Sequence, residues 1–398
     1  MKIEGWLNKE EKITDAIINN MTMIYLGAIT VLGLYIRFLL KDHVSADMTT
    51  FLRPWMQTLM ENGGLAALKM EIGDYNPPYL IILALMSYIP MNDVLLIKIP
   101  SVLFDLFLAI STAVFVWKYF GDKSKAVFLY TILLLNPLII INSAYWGQCD
   151  VIYASFLILC ILFCMQEKYF GAFLLFGISF AFKQQALFIL PVLVVLYVQK
   201  KQISLLHFLL IPFMNFLLCL PAIIAGRPIG NIMSIYFSQM GKYKYMTLKY
   251  YNIWFYFPGN YDEFSPVAIA FTLALIGTGA YWVLKKQIAL KGHKLLYFSI
   301  WVVYSCCMFL PEMHERYGFA LELLLVIYVV LYRRRIAICV TVCLITLAAY
   351  RHYFMGNPPF SEELLSVVNL ACYLKLSYDG LQYSLKNEIP IRYGVKGK

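Results

Sequence analysis

Long apolar runs alternate with short polar, mostly basic stretches along the whole chain. Runs such as 21–40, 266–284 and 336–350 are long enough, or nearly so, to cross about 30 Å of hydrocarbon as helices. No segment alternates residue by residue as a barrel strand does, and a lipid-embedded backbone has to satisfy its own hydrogen bonds. The pattern therefore predicts an all-α, polytopic transmembrane protein of about twelve crossings, forming one membrane-embedded domain over residues 1–398. Two stretches are too short for ordinary spans. Residues 79–90 read as a segment that dips into one leaflet and returns, and 170–182 with 186–198 read as a thin hairpin turning at Lys183-Gln184-Gln185. In 48–61, Phe51, Trp55 and Leu59 recur at helical spacing, which predicts a helix lying on the membrane surface.

Composition agrees with a lipid solvent: 61% of residues are hydrophobic and 14% charged, against about 25% charged in soluble domains. The net charge of +10 comes from clusters between apolar runs: Lys118, Lys123 and Lys125; Lys200 and Lys201; Lys285, Lys286, Lys291 and Lys294; Arg333 to Arg335; Lys386, Arg392, Lys396 and Lys398. If the N-terminal tail 1–20, with Lys2, Lys9 and Lys12, is cytoplasmic, every one of these clusters falls on the same side. Both termini are then cytoplasmic, and 41–78 and 226–263 are outer loops. The clusters read as topology signals, not as a nucleic-acid surface. The basic and aromatic run 241–257 (GKYKYMTLKYYNIWFYF) sits on an outer loop, where it would anchor the loop or grip a lipid phosphate and a sugar. The nine cysteines lie mostly in apolar segments without CxxC spacing and read as packing residues. The opening MKIEGWLNKEEK is too acidic and polar for a cleavable signal peptide, so the first apolar run reads as a retained helix.

With sidedness set by the basic residues alone, the unusual polar motifs collect on the opposite, outer face. They are Ser45-Ala46-Asp47, Asp74-Tyr75-Asn76-Pro77-Pro78, 142–150 (NSAYWGQCD), Lys183-Gln184-Gln185 and 311–317 (PEMHERY). Charges at the edge of a bilayer carry a desolvation penalty, which makes each a functional candidate. Each also has a plainer reading. Asp47 is either an N-cap or a catalytic base, and Asp74 opens a turn before a helix. Asp150 could cap a helix, and Trp146 with Gln148 could anchor the interface. Lys183 interrupts a long apolar stretch on the side where topology needs no positive charge, which fits a phosphate contact. His314, Glu315 and Arg316 are either a site or a solvated turn with internal ion pairs. Lys98 and Asp105, in the second crossing, share a helical face but lie about 10 Å apart along the axis, so each needs another partner.

The order of Asp47, DYNPPYL, KIPSVLFDL, NPLIIINSAYWGQCD, FKQQALFILPVL and HERYGFALELLL over about residues 20–330 resembles a known family. These motifs resemble bacterial membrane proteins related to the eukaryotic enzyme that adds the second mannose of the GPI anchor, within the GT-C glycosyltransferases. The resemblance implies transfer of a hexose, mannose by the relatives' name, from a polyprenyl-phosphate donor to an extracytoplasmic glycan, glycolipid or cell-wall acceptor, in a bacterial cell membrane. It implies that Asp47 is the general base of an inverting displacement. Lys183, Arg316 and His314 would then stabilise the lipid phosphate, and Trp146, Gln148, Asp150, Asp74 and Glu315 would orient sugar and acceptor. One departure concerns the first outer loop, where many members carry paired acids. Here Asp42 and Asp47 are five residues apart, which leaves a second acid and a divalent metal open, and no other cofactor is implied. Two other functions compete: a transporter or flippase for a lipid-linked saccharide, and a polysaccharide polymerase. A transporter would gather its polar site near the bilayer midplane, whereas these motifs lie toward one face.

Overall fold

The computed structural model describes residues 2–239, 242–257 and 259–384. Lys386, Arg392, Lys396 and Lys398, and the side chains of Lys2, Lys9 and Lys12, lie outside the described residues. The helices are, in order, α1 (Lys2–Leu39), α2 (Arg53–Glu61), α3 (Pro77–Met86), α4 (Asp93–Phe120), α5 (Lys123–Leu134), α6 (Pro137–Ile140), α7 (Asp150–Met165) and α8 (Tyr169–Phe182). They continue with α9 (Leu190–Gln199), α10 (Leu205–Ile224), α11 (Ile229–Ser238), α12 (Tyr261–Lys285), α13 (Gly292–Phe309), α14 (Phe319–Tyr332), α15 (Ile336–Met355) and α16 (Glu362–Asp379). A two-residue parallel pair, β1 (Thr247–Leu248) with β2 (Met313–His314), is the sheet structure of the described residues. The fold is all-α.

Among the described residues six helical segments are long and apolar enough to cross a membrane: Asn20–Leu39, Asp93–Phe120, Lys123–Trp146, Leu205–Ile224, Tyr261–Lys285 and Ile336–Met355. Several others, including α7, α8 and α14, are apolar but shorter. Helix starts follow local chemistry. Asn92, Asp122, Asn136, Ser204, Asn260 and Ser361 each accept a hydrogen bond from a first-turn amide of the helix that follows, satisfying donors that the helix itself cannot. Helices α7, α13 and α14 are buried on nearly all sides and form the centre, with α4, α8 and α15 packed around them.

Basic turns meet at one end of this bundle. Glu167, just past α7, accepts from Lys200 at 2.8 Å and from Lys291 at 3.1 Å, and Asp379 at the end of α16 pairs with Arg335 and Lys375. Asp150 begins α7 at the other end, about 23 Å away along the helix axis.

Three local expectations are refined. In 48–61 a wide π-helical turn, Met48–Leu52, runs into α2, and the buried stripe is Met48, Leu52, Met56 and Leu59. Phe51 and Trp55 belong to a second, partly exposed stripe one residue earlier, so of the three only Leu59 is fully buried, while Trp55 packs at the edge of the core. Helix α3, ten residues and about 15 Å long, is half the length of a span, and it buries Tyr79, Leu80, Leu83 and Ala84. The 170–198 region does turn at Lys183-Gln184-Gln185. Its arms splay, however: α8 packs mainly on α7 and α10, and α9 on α12 and α13. Apolar length locates a turn but carries no information about which neighbour each arm meets.

Lys98 and Asp105 of α4 each have a separate partner. Asp105 accepts from Arg37 Nε at 2.7 Å and from the Ser143 hydroxyl at 2.5 Å, and Lys98 Nζ donates to the carbonyls of Leu40, Lys41 and His43 at 3.0, 3.0 and 2.7 Å. Lys98 thus closes off the end of α1 immediately before the Asp47 segment. Lys98→Met strips these carbonyls of their shared donor and should lower stability by about 1–3 kcal/mol, measured as an earlier thermal unfolding transition in detergent.

Candidate functional site

Asp47 does not cap a helix. Its backbone is helical (φ −61°, ψ −37°) and its side chain makes no capping bond. The carboxylate is instead held from three sides. Trp146 Nε1 donates to Oδ2 at 3.0 Å, Gln148 Nε2 to the same oxygen at 2.7 Å, and the Tyr353 hydroxyl to Oδ1 at 2.8 Å. Tyr75 donates its hydroxyl to Gln148 Oε1 at 3.2 Å and so orients the amide.

The placement of Trp146 and Gln148 has a local cause. A π-helical turn, Ile141–Trp146, ends at Gly147, whose φ of +83° favours glycine. A Cβ there would meet the Met48 methyl at 2.3 Å, so the glycine also admits the residue next to Asp47. Ser45 ties the two segments together, its hydroxyl donating to the Trp146 carbonyl at 2.9 Å.

A second cluster adjoins the first. Asp150 is ion-paired with Lys183 and accepts from Asn142 Nδ2 at 2.9 Å. Lys183 reaches it because its backbone is extended (φ −147°, ψ 141°) at the break between α8 and the short turn that follows. Arg316 joins the clusters, with Nη1 at 3.6 Å from Asp47 Oδ2, Nε at 3.6 Å from Asp150 Oδ2 and Nη1 at 3.1 Å from Glu315 Oε1. Its guanidinium lies 5.5 Å from the Trp146 ring centre, within cation–π range. The β1–β2 pair, with a bridge from Lys249 to His314, fixes the Arg316 loop to the 226–263 stretch.

These residues surround a cavity of about 320 Å³ lined by Asp47, Tyr75, Gln148, Lys183, Arg316 and Tyr353, among others. Asp74 and Lys242, which pair with each other and are exposed, stand at its mouth with Tyr243 and His314. Three carboxylates, Asp47, Asp150 and Glu315, share two inner cations, Lys183 and Arg316. Burial alone would lower the Lys183 pKa, but Asp150, with smaller contributions from Tyr75 and Cys149, raises it above the ordinary lysine value; Arg316 is likewise raised despite burial. Glu315 is pushed up by burial yet held below the usual carboxylate range by His314 and Arg316. Burial raises Tyr75 and pushes Tyr317 up to about 12, so both phenols stay protonated as donors.

Of the three carboxylates gathered on Arg316, Asp47 is the open one. Its side chain is 20% exposed, against 2% for Asp150 and 4% for Glu315. Asp42 does not supply a second acid here, since it is exposed and paired with Lys41. Among the described residues no group of three or more His, Cys, Asp or Glu is placed to hold a metal ion.

The structure brings Asp47, Trp146, Gln148, Asp150, Lys183, Glu315 and Arg316 into one cluster, puts Asp74 and His314 at its rim, and leaves Lys98 and Asp105 behind it as supports. Sequence reasoning missed Tyr353, which bonds Asp47 across 306 positions; Tyr75 and Asn142 lay within the polar motifs it singled out, but without a role of their own. Tyr353 lies in the last turn of an apolar helix beside Arg351 and His352, a polar-aromatic tip like the other polar motifs, and this was the available signal. Compared with known proteins, the chain matches no family model and no curated sequence.

Proposed function

We propose that the chain is a GT-C-type inverting glycosyltransferase that moves a hexose from a polyprenyl phosphate to an acceptor hydroxyl on the extracytoplasmic side of a membrane it crosses about twelve times. The observation that carries the proposal is the state of Asp47: fixed by three donors, adjacent to a guanidinium and open to a polar cavity at the end of the bundle away from the basic turns. A carboxylate has about four lone-pair sites. Trp146 and Gln148 share Oδ2 while Tyr353 takes one site on Oδ1, leaving an Oδ1 lone pair for an incoming proton.

In the proposed step the acceptor oxygen attacks the anomeric carbon as the bond from that carbon to the phosphate oxygen breaks. The hydroxyl proton passes to Asp47, and the electron pair of the broken bond leaves with the polyprenyl phosphate, whose negative charge grows by one. Arg316 and Lys183 are the fixed cations nearest this charge. Lys242 at the mouth can join them, because its exposed pair with Asp74 is worth little and a lipid phosphate can replace that partner. Asp150 and Glu315 hold the two inner cations in place, and His314 and Asp74 flank the entrance.

A path for the lipid tail supports the same reading. An apolar groove of about 390 Å³ between α10 and α11 is lined by Phe180, Gln184, Tyr236 and Phe237. The polar cavity is lined by Phe182, Lys183, Gln185 and Gln239 of the same two stretches, so a tail in the groove would bring its phosphate to the cavity wall.

The test uses purified full-length protein in nanodiscs, polyprenyl-phosphate mannose, glucose and galactose as donors, and a panel of membrane glycolipid acceptors. The expected result is a new glycosidic bond of inverted anomeric configuration. Movement of the intact lipid-linked sugar across vesicles without bond formation would replace the enzyme reading by the flippase. Tyr353→Phe removes one hydrogen bond to a charged group and should reduce turnover about 10- to 100-fold, matching the 1.5–3 kcal/mol of such bonds, with donor binding little changed in a filter assay.

A further inference from the structure

A cavity larger than the polar one lies elsewhere. A groove of about 1040 Å³ runs between α5 and α15, floored by Val326, Val329 and Val330 of α14. Its two walls start at the same end of the bundle, with Lys125 near the beginning of α5 and Arg333 just before α15, and rise to Leu138 and Leu347. From Lys125 to Leu138 is about 20 Å of helix. The lining is apolar, and Phe128, Ile336, Val340 and Leu344 along it are exposed large hydrophobic side chains. Between membrane-crossing helices such a space is filled by hydrocarbon chains; the head group is chosen by what stands at the mouth.

That mouth is basic. Arg333 is exposed and held in a left-handed conformation (φ +52°) that terminates α14, and neither it nor Arg334 has an acidic partner among the described residues. Lys125 faces it from the other wall, paired at 3.5 Å with Asp122, whose carboxylate also caps α5. The first-turn amides of α15 have no side-chain cap, which adds positive potential at the same place.

We infer that this groove is a binding site for an anionic phospholipid of the leaflet on the side of the basic turns, its acyl chain between α5 and α15 and its phosphate between Arg333 and Lys125. Basic pockets between transmembrane helices on the cytoplasmic side take such head groups. The inference does not depend on the proposed transferase activity, since the groove lies at the other end of the bundle from Asp47.

The experiment places the full chain in phosphatidylcholine nanodiscs carrying a trace of phosphatidylglycerol, or of phosphatidylcholine, with a diazirine in one acyl chain. After photolysis, labelled peptides are mapped by mass spectrometry. The phosphatidylglycerol probe should label the 336–347 peptide at least about fivefold more than the phosphatidylcholine probe, the factor expected for about one cation at an anionic head group. Arg333→Asn, which tolerates the left-handed backbone, should bring the two probes level. Val340→Trp, at an exposed position of the groove, should abolish labelling of that peptide by both. Unfolding midpoints of both variants close to that of the unaltered protein would show that the losses are local. Equal labelling by the two probes, or a preference that survives Arg333→Asn, would reduce the groove to ordinary lipid contact and overturn the inference. So would displacement of the probe by polyprenyl phosphate but not by unlabelled phosphatidylglycerol, which would give the groove to a substrate tail.

Discussion

Asp47→Asn should lower the rate of sugar transfer by about 10²- to 10⁴-fold, the range that a positioned general base contributes, while leaving donor affinity and thermal stability nearly intact. The amide keeps the size of the carboxylate and can still accept from Tyr353 or from Trp146 and Gln148, so the cavity wall persists. What it loses is the lone pair that takes the acceptor proton, and the negative charge facing Arg316 at 3.6 Å. Single-turnover transfer at saturating donor, together with donor binding measured separately, isolates the chemical step. A variant that transfers at the unaltered rate would remove Asp47 from the chemistry and return it to a structural role. The comparison with Asp150→Asn sharpens the result. Asp150 is enclosed, so its loss should act through Lys183 and Arg316, weakening donor binding and stability together and leaving no isolated effect on the chemical step.

The second large effect is on stability. Lys183→Met leaves Asp150 buried with a neutral neighbour in place of its closest cation, and breaking a buried pair from one side costs about 3–5 kcal/mol. Asn142 and Arg316 still face Asp150, which places the expectation at the lower end of that range. Lys183→Met combined with Asp150→Asn removes both charges and should recover part of the lost stability without recovering transfer. Thermal unfolding of the two single variants and the double variant in one detergent completes the cycle. If the double variant loses the sum of the single losses, the two residues do not act as a pair.

Much of the architecture was legible because it rests on local properties. Run length and the absence of strand alternation predicted helices, and the structure is all-α, with six segments apolar and long enough to cross a membrane among the described residues. The turn at Lys183-Gln184-Gln185 was visible as a charge and two amides inside an apolar stretch. The short 79–90 segment was visible from its length, and α3 is ten residues long. Grouping the polar motifs by the positions of basic clusters also anticipated neighbours: Asp47, Trp146, Gln148, Asp150, Lys183 and Arg316 do meet.

Their individual contacts were not legible. Asp47 read equally well as an N-cap, since a short acidic residue before an apolar helix is what a cap looks like; only the helical backbone angles of residue 47 exclude it. Lys183 read as a phosphate contact and Arg316 as either a phosphate contact or part of a turn with internal ion pairs; both already face carboxylates, Arg316 those of Asp47 and Asp150 as well as its neighbour Glu315. Lys98 and Asp105 lie on one helix but serve different neighbours, the end of α1 and the Arg37–Ser143 pair. The stripe at Phe51 and Trp55 and the stripe at Leu52 and Met56 differ by one residue, and either could have turned inward.

By itself the sequence determined that the chain is helical and that several of its helices are long and apolar enough to cross a bilayer, because each depends on nearest neighbours in the chain and on transfer of side chains from water. Only the tertiary structure decided that Arg316 stands between Asp47 and Asp150, that Tyr353 completes the Asp47 environment, and that α5 and α15 part to form a groove with a basic mouth. The physical reason lies in the central helices. A helix such as α7 or α14 is buried on nearly every side and has few polar residues, such as Ser155 and Glu322, so its sequence carries little record of its rotation about its own axis, and rotation determines which side chains meet.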